Sequence, residues 1–312
     1  MARKFGSRGW TADKLPDLAG KTYVITGANS GIGFEAARML GERGAHITMA
    51  CRSEPKAAEA VRELTSLAPQ GRFDSVQMDL SDLSSVRRAA GDIRKSHQKI
   101  DGLINNAGIM MIPTREMTAD GFETQFGVNH LGHFALNAEL CDLVEAASGR
   151  FVAVASIAHK YARGFKFDDL MMEQGYTATG AYCQSKLANL SYALELNRRL
   201  EASGLKARAY GCHPGYSATN LQSTGPGAIA TLIMKPLNAI LAQSAKKGAL
   251  PTALCAGGSE AEPGEYYGPT GFRDFGGPVD IATTTSAARD EKAASRLWAK
   301  SEELTRSTWS IF

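Results

Sequence analysis

The 312-residue chain has almost no excess of charge. Its 35 Lys and Arg face 32 Asp and Glu, a formal net charge of +3. Arg3, Lys4 and Arg8 account for that excess, and the remainder balances. A neutral chain of this kind has no electrostatic footprint for nucleic acid. Long hydrophobic runs are also missing. The longest apolar stretch, residues 228–241, is broken by Lys235 and Pro236 and is too short to span a bilayer. No apolar core follows the first basic residues, so no secretory signal is expected. The five cysteines are odd in number and scattered, without a Cys-x-x-Cys. Free thiols in a reducing cytoplasm are the expectation. His130 and His133 lie one turn apart with no evident third ligand, which favours packing or polar roles over a metal. No linker or composition shift divides the chain, and its apolar content suffices for one full core.

What is present is alternation. Strands are expected at residues 21–26, 45–50, 73–78, 102–105, 151–155 and 206–212, with a short last one near 265–267. Helices are expected between them, including a long one over 120–145, interrupted near Gly127 and Gly132, and another over 181–202. Repeated βα units imply an α/β protein: a Rossmann-type, doubly wound parallel sheet of about seven strands in a single domain. The expected layout is a flexible basic tail over 1–18, the catalytic domain over 19–285, and a C-terminal helix within 286–312 packed on it.

In such sheets ligands sit at the carboxyl ends of the strands. The notable residues fall there. Gly27-Ala28-Asn29-Ser30-Gly31-Ile32-Gly33 follows the first strand and opens a helix. Gly27 permits the tight turn, Gly31 lets the backbone approach a pyrophosphate, and Gly33 lets the helix pack on the strand. The helix N-terminus then offers free N–H groups to phosphate. Cys51-Arg52-Ser53 ends the second strand where a carboxylate for a ribose hydroxyl is common. Arg52 instead offers a guanidinium fork suited to a 2′-phosphate, favouring NADP over NAD. Asp79-Leu80, Asn106-Ala107-Gly108, Ser156 and Pro214-Gly215 follow later strands. Tyr182 and Lys186 lie four residues apart, about one helical turn, and so share a face. A lysine cation favours the phenolate, and a serine hydroxyl held beside it steadies a carbonyl oxygen. That is equipment for moving a proton to or from an alcohol oxygen.

These motifs together resemble the short-chain dehydrogenase/reductase family over roughly residues 21–267. Thr26 to Gly33 is similar to its cofactor motif and Asn105-Asn106-Ala107-Gly108 to its second signature. Asn129, Ser156, Tyr182 and Lys186 stand in the order of its catalytic tetrad. Asn129-His130-Leu131-Gly132-His133-Phe134, Ala181 to Asn189, Cys51-Arg52-Ser53 and Leu297-Trp298 resemble the retinol dehydrogenase-like branch. The light-dependent protochlorophyllide reductases share parts of the pattern. Membrane-bound animal members carry a hydrophobic N-terminal anchor; the polar, basic N-terminus here fits a soluble, microbial-type relative.

The resemblance implies an NADP(H)-dependent oxidoreductase interconverting an alcohol and a ketone or aldehyde. It makes Tyr182 the general acid/base, with Lys186 lowering its pKa and bonding the nicotinamide ribose. Ser156 holds the substrate oxygen, and Asn129 anchors a water next to Lys186. Cofactor contacts are expected from Gly27, Ser30, Gly31, Ile32, Gly33, Arg52, Asp79, Leu80, Asn106, Ala107, Gly108, Tyr182, Lys186, Pro214 and Gly215. Substrate contacts are expected from Ser156, His159, Tyr182 and Tyr216, on segments 157–179 and 216–250. The apolar run in the second segment reads equally as a lid over a bulky lipophilic substrate, an interface or plain core. A homodimer or homotetramer through the helices carrying Asn129 and Tyr182–Lys186 is also implied. A regulatory NADP-binding protein without turnover, and an epimerase or dehydratase on the same fold, remain as alternatives. Arg52 makes one expectation measurable: with NADPH and NADP assayed beside NADH and NAD, turnover is faster with the phosphorylated pair. Equal or faster turnover with NADH would remove Arg52 as a 2′-phosphate ligand.

Overall fold

Val24 on one side of the first strand and Tyr23 and Ile25 on the other are all buried, so this strand is covered on both faces. The same holds for Phe151 and Ala153 against Val152 and Val154. Such continuous apolar strands are what a parallel sheet sandwiched between helices requires. The structure, a computed structural model, describes residues 4–216 and 244–312. Eight strands form one sheet among them: β1 (Thr22–Thr26), β2 (His46–Cys51), β3 (Arg72–Gln77), β4 (Gly102–Asn105), β5 (Arg150–Val154), β6 (Arg208–Cys212), β7 (Tyr266–Pro269) and β8 (Val279–Ile281). Their order is β3-β2-β1-β4-β5-β6-β7-β8. All pairs are parallel except β7 with β8. The eighth strand, unforeseen in the sequence, is three residues long and too short to show an alternating pattern.

Helices cover both faces. α1 (Gly31–Gly41), α2 (Glu54–Leu67) and α7 (Ala245–Gly257) pack on one, with Ala36, Leu40, Leu64 and Leu254 in its core. α3 (Leu83–Ser96), α5 (Gly132–Ala146), α6 (Ala178–Ala202) and α8 (Glu291–Thr305) build the other, around Val86, Phe134, Tyr192 and Trp298. The edge strand β3 is largely polar, which suits a position with one open side. The strand order turns back between β1 and β4, which makes that gap the switch point where such folds take ligands.

The interruption expected near Gly127 and Gly132 is a π-helical segment. A single turn, α4 (Thr124–Phe126), leads into π residues Gly127–Leu131 and then α5. Both glycines are sterically required. A Cβ on Gly127 would come within 2.6 Å of Thr118, and one on Gly132 within 2.7 Å of the Leu80 carbonyl. The widened turn carries Asn129, fully buried. Inserted π turns of this kind occur often at functional sites.

The segment expected as a flexible basic tail is packed in its described part. Trp10, Leu15 and Leu18 are buried in the same core as Leu40 and Leu254. The Trp10 N–H bonds the Val279 carbonyl at 3.0 Å, and the Lys4 and Phe5 N–H groups both reach the Asp280 carboxylate at 3.2 Å. Three apolar residues at irregular spacing produce no periodic signal, so the charges around them dominated the sequence reading. At the other end, α8 is capped by Asp290, whose side chain accepts from the Ala293 N–H. Trp298 stacks on Tyr192 at 5.9 Å and meets Phe134 edge-on at 5.1 Å. Trp309 and Phe312 close over Trp298. The C-terminal segment therefore packs on α5 and α6.

The five cysteines are free and buried. No helix among the described residues is long and apolar enough to cross a membrane.

Two core histidines make the fold acid-sensitive. Burial holds His130 down to about 3 and His133 down to about 4, from an ordinary 6.5. Between those values and 6.5 the unfolded chain binds protons that the folded chain does not, so stability falls as pH drops through that window and is fully present above it. The melting temperature is expected to fall steadily from pH 7 to about 4. His130→Gln, which keeps a donor toward Ser301, is expected to make the profile shallower, with His133 and His213 (about 3) still contributing; a flat wild-type profile would contradict the burial argument.

Candidate active site

Thr26, the last residue of β1, organises the cofactor end of the sheet. Its hydroxyl accepts from the Asn106 and Ala107 N–H groups at 3.0 and 2.9 Å. The Asn106 side-chain amide donates to the Thr26 carbonyl at 2.9 Å. His133 Nδ1 lies 2.9 Å from the Asn129 carbonyl, which can only accept, so Nδ1 carries the proton. Its Nε2 is then an acceptor, 2.8 Å from the Thr26 hydroxyl, which donates to it. One buried hydroxyl thus ties β1, the loop after β4 and the π segment together. Neither Thr26 nor His133 was singled out in the sequence for this role, because the partners are about 80 to 107 residues apart.

The glycine turn is shaped as a phosphate cradle requires. Gly27 and Gly31 adopt φ of +66° and +62°, a region that side chains disfavour. A Cβ on Gly33 would lie 2.5 Å from the Asn106 amide nitrogen and 2.8 Å from the Gly27 carbonyl. Ser30 is the N-cap of α1, yet its side chain makes no capping bond, leaving the helix's first N–H groups for a ligand. Ile32 follows in the first turn. The buried Cys51 thiol packs beneath, against the backbone of Gly27, Ala28 and Asn29. Arg52, at the end of β2, is exposed and has no ion-pair or hydrogen-bond partner among the described residues. These residues fit a dinucleotide with its phosphates on α1.

Asp79 is turned toward its own loop. Its carboxylate accepts from the Ser81 N–H at 2.9 Å and the Ser81 hydroxyl at 2.7 Å. The cap of α3 is Asp82, which accepts from the Ser84 N–H. Leu80 is buried against Gly132. Gly108 lies between Asn129 and Lys186: a Cβ there would stand 3.2 Å from Asn129 Oδ1 and 3.4 Å from Lys186 Nζ. Asn129 is itself a brace. Its amide nitrogen donates to the Ile109 carbonyl and the Ser185 hydroxyl, both at 2.9 Å, and its oxygen accepts from the Ile109 N–H at 2.8 Å. Both amide hydrogens are committed, so only Oδ1 retains capacity toward a water.

Tyr182 and Lys186 sit in α6, which starts three residues earlier than the apolar pattern suggested because Thr177 caps it, accepting from the Gly180 N–H. The Ser156 side chain acts on the phenol and favours its ionised form. The lysine ammonium lies 5.8 Å from the phenol ring centroid and donates to the Val154 carbonyl at 3.0 Å. Electrostatics here differ from the expectation that the lysine lowers the phenol. Burial raises Tyr182 to about 12, with the Ser156 side chain pulling the other way. Burial also lowers Lys186 to about 8, from 10.5. In the protein by itself, desolvation is the largest influence on both groups.

His159, expected as a substrate contact, is packed beside Ser156. Its ring is fully buried, donates from Nδ1 to the Ser156 carbonyl at 2.7 Å, and meets Tyr266 edge-on at 5.2 Å. It braces the serine's backbone. Cys183 is buried. Gly215 takes a φ of +72°, and its N–H reaches Nδ1 of the buried His213 at 3.2 Å. Tyr216 packs on Phe275 at 5.9 Å between ring centroids. Residues 217–243, with the apolar run considered as a lid, lie outside the described residues, as do residues 1–3.

A glycine cradle at a switch point, beside a serine, a tyrosine and a lysine, defines a nucleotide-binding α/β protein equipped for proton transfer. The model of the short chain dehydrogenase family matches residues 21–227, and the chain belongs to that family. It is retinol dehydrogenase-like. Mouse retinol dehydrogenase 12 is 37% identical over 310 residues, covering 98% of this chain and 93% of that protein. The chloroplastic short-chain dehydrogenase TIC 32 A of Brassica napus is 34% identical over 316 residues, covering 97% and 95%. A crystal structure of an uncharacterized protein from Mycobacterium paratuberculosis superposes with a TM-score of 0.80 at 40% identity, covering 96% of this chain and 99% of that one. Membership makes the protein an oxidoreductase of alcohol and carbonyl groups that uses a nicotinamide cofactor.

Lys186 is held charged in a place that disfavours charge, which is a cost to stability. Between its folded value near 8 and its unfolded 10.5, the unfolded chain holds the extra proton, so stability rises with pH across that window. Lys186→Met is expected to raise the melting temperature at pH 7 by about 2 °C or more while removing activity, the gain shrinking as pH approaches 10.5. A lower melting temperature at pH 7 would show that the Val154 bond outweighs the buried charge.

Proposed function

We propose that the protein interconverts a ketone or aldehyde and the corresponding alcohol with NADP(H), on a bulky lipophilic substrate. The observation that carries this reading is the Ser156, Tyr182 and Lys186 cluster at the end of β5, with only β4 between it and the strand that leads into the glycine cradle. NADPH supplies the hydride. Gly27, Ser30, Gly31, Ile32 and Gly33 would hold its pyrophosphate, and Arg52 would pair with its 2′-phosphate. Further cofactor contacts would come from Asp79, Leu80, Asn106, Ala107, Gly108, Pro214 and Gly215, which follow β3, β4 and β6.

Ser156 donates a hydrogen bond to the substrate oxygen. Tyr182, protonated at neutral pH, gives its proton to that oxygen as negative charge develops there. Lys186 supplies positive charge beside the phenolate that remains. Asn129 holds the loop carrying Gly108 against the lysine. In the reverse direction Tyr182 is the base, and a phenol held high makes oxidation demand higher pH than reduction. Positioned acid–base groups of this kind contribute about 10²–10⁴-fold.

Relatives named retinol dehydrogenases support a lipophilic alcohol or aldehyde as the substrate class. Tyr182→Phe is expected to lower kcat by at least about 100-fold and leave NADPH affinity within about threefold. The assay follows NADPH absorbance across lipophilic aldehydes, ketones, steroids and aromatic alcohols. Turnover near wild type in that variant, or no NADPH consumption with any of these compounds, would overturn the reading. Product formation with NADPH unchanged would point instead to an epimerase or dehydratase.

A further inference from the structure

At the opposite edge of the sheet, a second group of side chains converges that the proposed reaction does not use. His46 opens β2, and Thr48, two residues on, shares its face. Asp74 on β3 is the residue paired with Thr48. His97 follows the last turn of α3 and is nine-tenths buried. His46 Nε2 lies 2.7 Å from Asp74 Oδ2, and His97 Nε2 lies 2.9 Å from the Thr48 hydroxyl. The two imidazoles meet edge-on at 5.0 Å. One donor atom each from His46, Asp74 and His97 lies within 4.8 Å of the other two.

The geometry points to a divalent transition-metal site, of zinc type, built from His46, Asp74 and His97. Two imidazoles and a carboxylate are a recurrent zinc donor set, leaving a fourth position for water. Tetrahedral bonds of about 2.0–2.2 Å place ligand atoms about 3.3–3.5 Å apart. His46 and Asp74 are already closer than that, so closing the set needs the two contacts that His97 makes, each within 4.8 Å, to shorten by up to about 1.5 Å. Asp74 is 41% exposed and His46 18%, so both have room to turn. The Thr48 hydroxyl holds the His97 ring, as outer partners hold metal-binding histidines. Arg72 bears on His97 and opposes a cation; the Asp74 carboxylate offsets it.

The cysteines do not compete, since all five are buried. Along β2 the site stands about 17 Å from the Cys51–Arg52 end. A cation there joins β2, the edge strand β3 and the end of α3, and acts on the stability of that edge rather than on hydride transfer. Without a metal, the same residues form an ion pair and a separate hydrogen bond, so the test must separate the two arrangements.

The experiment uses untagged, chelator-treated full-length chain titrated with zinc chloride. Calorimetry is expected to show one saturable site per chain with half-saturation at or below about 100 µM, and the melting temperature to rise with zinc. Magnesium, which prefers oxygen ligands, is expected to give no rise. His46→Gln and His97→Gln are each expected to remove the zinc response. Should either variant fold poorly, cobalt(II) bound to the wild-type chain is read instead; an absorption spectrum of tetrahedral nitrogen and oxygen ligation supports the site. No zinc binding, zinc binding undiminished in folded variants, or a cobalt spectrum of thiolate ligation would each overturn it.

Discussion

The Thr26 hydroxyl is the point on which the cofactor end of the sheet depends. It accepts from two backbone N–H groups of the loop after β4 and donates to His133. His133 in turn fixes the Asn129 carbonyl, and the Asn129 side chain reaches Ile109 and Ser185. Through these bonds β1, β4, the π segment and α6 are placed relative to one another without a polar group left idle among them. Such a network in a buried place is strong only when every member is satisfied. The neutral state of His133 is part of that condition, because a second ring proton would face the Thr26 hydroxyl without an acceptor's lone pair to spare.

Around the tyrosine, burial and the Ser156 side chain pull in opposite directions, and burial wins. Tyr182 and Lys186 are both buried, and both have their charged forms disfavoured. The phenol is therefore kept as an acid in the protein alone, suited to protonating an oxygen. The Ser156 side chain is the contribution that works toward the phenolate. His159 donates to the Ser156 carbonyl and packs edge-on against Tyr266, so the serine's backbone is held by packed rings.

Much of the site was legible in the chain because it is local. Gly27, Gly31 and Gly33 lie within seven residues, and Tyr182 and Lys186 are one turn apart, so spacing alone predicts their geometry. The seven parallel strands follow from apolar runs at Val24, Ile47 and Val152. The burial of Trp10, Leu15 and Leu18 was not legible, since irregular apolar residues carry no period. Nor was the role of His159, where a lone histidine after a strand reads equally as pocket wall or brace. The desolvation of Tyr182 and Lys186 was not legible either, since spacing shows proximity while desolvation depends on everything packed around the pair.

The alternation of strands and helices, the glycine turn and the tyrosine–lysine face were determined by sequence alone, because each rests on backbone conformation or a repeat of a few residues. Tertiary structure decided what joins distant segments. It brought Thr26 to His133, Asn129 to Ser185, and the C-terminal Trp298 onto Tyr192 and Phe134. It also gathered His46, Asp74 and His97 at the far edge of the sheet. No spacing rule encodes such meetings, since they depend on the register of paired strands and on which helix covers which face.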